Sequence, residues 1–220
     1  MRKGTALIGS AAALALVAGI GLTSAPAQAK TTTARTGTST ITILPEVYTQ
    51  LVVAGVQLQG LEDATSTNPP GTQAISFPVT KPFKPGAVAN TGIMAIGASI
   101  NRIDLSLPIL EYSSTNGSTT GQITFKDDDA ALTSDRVTLF QVTGMSVKVT
   151  KGKVTKSGAK WKRTDRQLIT GNVAMVDDPA TVAGLNAYIG TTFFTPGTAF
   201  ATLESTVTTT ITCTTRKECS

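Results

Sequence analysis

Few residues in this chain have side chains suited to catalysis. It contains no histidine, and its only two cysteines, Cys213 and Cys219, lie in the last eight positions. Without imidazole there is no Ser-His-Asp or Cys-His arrangement, no histidine-bound zinc and no imidazole acid or base. Asp104 and Glu111 remain as a two-carboxylate pair of the glycosidase kind. However, an alternating strand carries such residues at its surface for solubility, and the aromatic platforms of sugar sites are scarce, with seven Phe, three Tyr and one Trp. Asp127, Asp128 and Asp129, with Asp135 further on, offer oxygen ligands to calcium. They lack the D-x-D-x-D-G loop and the closing glutamate, so a solvated turn is the simpler reading. The two cysteines are expected to oxidise to one local disulfide around Thr214–Glu218. A non-catalytic chain with no cofactor and no metal is therefore expected.

Charge placement is the clearest anomaly. Lys148, Lys151, Lys153, Lys156, Lys160, Lys162, Arg163 and Arg166 crowd one segment against the single acid Asp165, leaving the remainder of the chain after residue 29 net acidic. The segment fits a hairpin with its tip near 151–158, and it carries the only tryptophan, Trp161, between Lys160 and Lys162. Two readings fit: lysines guarding an exposed strand, or a site for an extracellular polyanion such as a cell-wall polymer, an anionic lipid surface or nucleic acid. On the second reading, Lys160, Trp161, Lys162 and Arg163 form the central cluster.

The elements that position these residues follow from patterning. Met1-Arg2-Lys3, the uncharged apolar run Ala6–Leu22 and Ala27-Gln28-Ala29 predict a secretory signal peptide over 1–29 and a secreted or cell-wall-associated product without a later membrane span. The remaining ~190 residues suit one domain. A Thr-rich flexible leader is expected over 30–40, a single β-rich domain over 41–212 and a disulfide-closed tail over 213–220. Short alternating runs such as Val56–Leu61, Gln73–Val79 and Val137–Val149, punctuated by Gly, Pro and Asn, predict eight to ten strands. Pro78 places its strand at an edge, because it cannot donate to a ladder. Two short helices are expected. One starts at Pro45 and closes at Gly55; the other starts at Asp177-Asp178-Pro179 and closes at Gly190. The predicted architecture is mainly β, a sandwich or partly closed barrel.

The order of these features resembles secreted proteins of high-GC Gram-positive bacteria that carry HtaA-type domains. The matching pieces are the opening helix Val47–Gly55, the strand Ile75-Ser-Phe-Pro-Val-Thr, Gly92-Ile-Met-Ala-Ile-Gly, Ile103-Asp-Leu-Ser-Leu, and Leu185-Asn-Ala-Tyr-Ile-Gly with Phe194 and Gly197. The resemblance implies a β-rich fold and haem binding at the cell surface by a tyrosine of the opening helix, supported by a histidine at a Gly-rich strand junction. Here the tyrosine position holds Leu51, with Tyr48 one turn earlier, and 95–98 contains no histidine. The leading expectation is an exported interaction or structural module that meets an anionic partner through the basic hairpin. A haem or ligand carrier using Tyr48 is the alternative, and a carboxylate-dependent glycoside hydrolase comes third.

Overall fold

The computed structural model describes residues 32–80, 85–98, 101–113, 116–126 and 131–220, without the side chains of 98, 107 and 131–135. The predicted signal peptide, Lys30 and Asp127–Asp129 lie outside the described residues. Twelve strands and three helices follow in order: β1 (Thr32–Ile43), α1 (Pro45–Val53), β2 (Val56–Leu61), β3 (Thr65–Thr67), β4 (Ala74–Thr80), β5 (Ala87–Asn90), β6 (Ile93–Ala98), β7 (Asn101–Tyr112), β8 (Gly117–Lys126), β9 (Ala131–Thr150), β10 (Thr155–Ser157), β11 (Lys160–Met175), α2 (Pro179–Ile189), β12 (Ala199–Cys213) and α3 (Arg216–Cys219).

Eight strands close a barrel in the order β7-β5-β4-β1-β12-β11-β9-β8, with β8 pairing back onto β7. Of the two expected forms, sandwich or partly closed barrel, the chain takes the barrel, and closes it fully. Closure needs two strands that change partners. The first half of β7 pairs with β6 and its last part with β5, across a register shift between Ser106 and Ile109. Likewise β4 pairs with β3 at Ala74–Ser76 and with β5 at Val79–Thr80. Pro78 falls at that changeover, in a strand that β1 flanks on the other side, so it is not on an edge as expected. Its carbonyl accepts from the Thr91 N–H, and the donor it lacks faces the gap between β3 and β5.

The expectation of a flexible leader over 30–40 is also overturned. From Thr32 onward the segment is strand β1, paired residue for residue with β12 from Thr32↔Thr212 to Ile43↔Ala201. Threonine is β-branched and suits a pleated surface, so two Thr-rich segments complement one another.

The core is aliphatic, with Ile43, Ile75, Ile96, Ile103 and Ile169 fully buried, and with the Phe140 and Phe200 rings tilted together at 5.3 Å. α1 buries Val47 and Leu51 against it, and α2 buries Val182, Leu185 and Ile189. α2 begins and ends as its sequence requires. The Asp178 carboxylate accepts from the Ala180 N–H at 3.1 Å and from the Thr181 hydroxyl at 2.6 Å; Gly190, at φ 78°, closes the last turn in the left-handed conformation. These hydrogen bonds hold the Asp178 carboxyl below its usual range, the Thr181 bond contributing most. The one-turn α3 was not foreseen. Thr215 caps it in a capping box with Glu218, and the Cys213–Cys219 disulfide, Cα atoms 5.7 Å apart, ties it to the end of β12.

Candidate functional site

The described surface near α1 carries a groove of about 470 Å³. Tyr48 and Val52, one turn apart on α1, form one wall. Gln57 and Gln59 of β2 form another, with Ser66, Asn68 and Gln73 closing the far side. Alternation explains the glutamines, since Val56 and Leu58 point into the core and leave both amides outward. Tyr48 packs partly against the core, and its hydroxyl is bonded to no described residue. Gln73 donates to the Leu58 carbonyl at 2.6 Å and locks β2 against the loop before β4.

A second hollow adjoins the first across Gln57 and Gln59, floored by Ala95 and Gly97 of β6 and bounded by Arg102 of β7. The register sets Gln59 beside Ala95 and Gln57 beside Gly97. Ala95 is buried beneath its neighbours, while Gly97 is half-buried and adds no side chain to the floor. A Cβ at Gly97 would stand 3.0 Å from the Asn101 carbonyl oxygen, a tight approach. Gln57 and Gln59 are shared by the two hollows, an amide-walled trough that Tyr48 lines in the first and Arg102 in the second.

Arg102 is held by an acid that sequence reasoning assigned to other chemistry. Asp104 is only 2% exposed, its Oδ1 lying 2.8 Å from Arg102 Nε and its Oδ2 2.7 Å from Lys126 Nζ. The Nε contact is ionic and poorly directed, and the aligned bond runs from Arg102 Nη2 to Asp104 Oδ2 at 3.2 Å. Ala95 and Thr124 flank Asp104 in the sheet, and the two long cationic side chains cover it. Glu111 lies seven residues further along β7, opposite Ala87 and Ser118. At about 3.3 Å per residue, the two carboxyls are on the order of 20 Å apart, far beyond glycosidase separations. Asp104 and Glu111 therefore cannot share one glycosidic bond.

The basic segment folds as the predicted hairpin, with Gly158 and Ala159 turning β10 into β11. Its side chains do not form one cluster. Lys160 and Lys162 point to one face, while Trp161 and Arg163 point to the other, as the two-residue period of a strand dictates. Trp161 lies opposite Cys213 and under the Arg216 guanidinium, 5.9 Å away. Arg163 is consumed structurally. Its Nε meets Asp165 at 3.0 Å, and its Nη1 donates to the Cys219 carbonyl at 2.6 Å and to that of Ser220. Lys156, opposite Trp161, shares the second face; Lys148, Lys151 and Lys153 are exposed.

A third cavity, about 380 Å³ and mostly apolar, lies between α2 and the barrel and is lined by Ile103, Phe125, Leu139, Leu185 and Tyr188. No described helix is long and apolar enough to cross a membrane, and among the described residues no group of three or more His, Cys, Asp or Glu side chains could hold a metal ion.

No protein-family model matches the chain, and no curated protein matches it. Among solved structures the chain is similar to the haem-binding protein HtaB from Corynebacterium glutamicum, with a TM-score of 0.52 at 13% identity over 84% of this chain and 98% of that one. It is also similar to the C-terminal domain of HtaA from the same organism, with a TM-score of 0.43 at 9% identity over 81% and 99%. At this identity the likeness to HtaB shows a shared fold alone: the chain has a divergent β-rich fold of the HtaB kind.

Proposed function

We propose that this domain is a non-catalytic carrier of a flat, acid-bearing ligand of the haem class, held in the trough between Tyr48 and Arg102. The observation that carries the reading is the placement of Tyr48: it lines the groove from the opening helix, and no described residue takes up its hydroxyl. A tyrosine phenolate is an established axial donor to haem iron. Half-buried Gly97 adds no side chain where a planar ring would lie, and the Arg102 guanidinium with the Gln57 and Gln59 amides suits its carboxylates. The shared fold with a haem-binding protein supports the same reading. When bound, haem would supply a ferric iron able to accept an oxygen donor. Tyr48 would be that donor, Val52 would border the group from α1, and Asp104 would keep Arg102 in place.

Titrating the full chain with ferric haem and following its absorption spectrum tests this. The expected result is a saturable Soret shift. Tyr48→Phe should change the spectral type and weaken binding at least tenfold, whereas Arg102→Gln should weaken binding and leave the spectral type unchanged. No shift, or one indifferent to Tyr48→Phe, would remove the assignment.

A further inference from the structure

Beyond the barrel wall, β1, β12 and β11 continue as a ribbon, joined at its edge by β10 and the end of β9. Its two faces differ in a way that the order of residues along the chain conceals. One face carries Trp161, Arg163 and Asp165, already engaged with α3, the chain end and one another. The opposite face carries Lys148, Lys160, Lys162 and Arg166, all exposed, and none of the four forms an ion pair with a described residue.

That face is built for repetition. Lys162 lies beside Thr212, Thr164 beside Thr210 and Arg166 beside Thr208, so cations and hydroxyls alternate in rows across the strands. Successive residues on one face of a strand are about 6.5–7 Å apart, and neighbouring strands about 4.8 Å. Asp165 is turned away, and Glu204 stands level with Thr170, beyond the cationic rows. The charge is therefore uninterrupted where the ribbon projects furthest.

We infer that this face binds a linear polyol-phosphate polymer. Lysine and arginine take the anionic charge of successive phosphates, and threonine hydroxyls donate to their free oxygens. Single-stranded nucleic acid is a poorer match, because stacking platforms are what such sites add to charge, and Trp161 is on the wrong face. A lipid surface is poorer too, since Leu168 is the one large exposed apolar residue among these rows. The site is separate from the Tyr48 trough and does not depend on it.

The test compares two double variants of the full chain that remove equal charge from opposite sides of the ribbon end. One is Lys160→Gln with Lys162→Gln; the other is Lys156→Gln with Lys217→Gln, removing one lysine from the Trp161 face and one from α3. Affinity for poly(glycerol phosphate) is measured over a range of salt concentrations. The first pair should weaken binding tenfold or more and flatten the salt dependence by roughly 1.5 in log–log slope, the change expected when about two phosphates are no longer neutralised. The second pair should change affinity less than twofold. Equal losses in the two doubles, no binding by the parent, or equal or tighter binding of single-stranded DNA or anionic vesicles would each overturn the inference.

Discussion

Replacing Asp104 by Asn keeps the size of the side chain and removes one buried negative charge. In the folded protein that charge is 2% exposed and sits 2.8 Å from Arg102 and 2.7 Å from Lys126, each cation about 40% exposed. Removing one partner of a fully buried pair costs about 3–5 kcal/mol, whereas exposed pairs contribute about 0.2–1 kcal/mol. The arrangement lies between these limits, because the anion is buried while both cations can regain water. A loss of about 2 kcal/mol follows, a drop in Tm of about 4–8 °C for a domain of this size. Urea unfolding with parent and variant fitted to a common slope reads it directly. The loss should change little in high salt, since ions screen a covered carboxylate weakly. A variant within about 0.5 kcal/mol of the parent would mean that desolvation of Asp104 cancels its two ion pairs, and the argument that it anchors Arg102 would fail.

Three further outcomes are expected. Gly37→Ala should cost about 2–3 kcal/mol in urea unfolding, because a Cβ there would stand 2.0 Å from the Thr206 carbonyl oxygen at φ 150°; a neutral result would contradict the tight β1–β12 pairing. Replacing Cys213 and Cys219 together by Ser should cost roughly 2 kcal/mol, the chain entropy of so short a loop, and should increase amide exchange in α3 while sparing the barrel. Hydrogen bonds, chiefly from the Thr214 hydroxyl, hold the Glu218 carboxyl below its usual range. Its contribution is therefore present above the ordinary glutamate pKa and lost as pH falls through the depressed one. An NMR titration should show the Thr214 and Thr215 amides leaving their folded shifts in that acid range, and Thr214→Val should move the transition to higher pH.

Local features of this fold could be read from the sequence, and long-range ones could not. Asp178, Pro179 and Gly190 specify α2 because capping and left-handed closure act within a few residues. Val56-Gln-Leu-Gln likewise announces which amides face outward. By contrast, the Thr-rich start resembles a linker until its partner is known, and that partner, the Thr-rich end of β12, lies over 160 residues away. The pairing of β1 with both β12 and β4, which carries the barrel around and flanks Pro78, is likewise non-local, whereas β7 and β8 form a local hairpin. For the candidate sites, Tyr48 and the basic hairpin were visible as residue types. The strand period then divides Lys160, Trp161, Lys162 and Arg163 between two faces, a consequence that alternation could have revealed. Asp104 looked like a surface carboxylate because nothing in its neighbourhood signals that Lys126 will cover it.

The most direct test of the trough assignment is paramagnetic broadening of backbone amide signals when the full chain binds ferric haem, with diamagnetic zinc protoporphyrin as reference. Broadening centred on Tyr48, Gln57, Gln59, Ala95 and Gly97 is the predicted result. Broadening confined to the apolar cavity beneath α2, around Leu185 and Tyr188, or none at all, would contradict it.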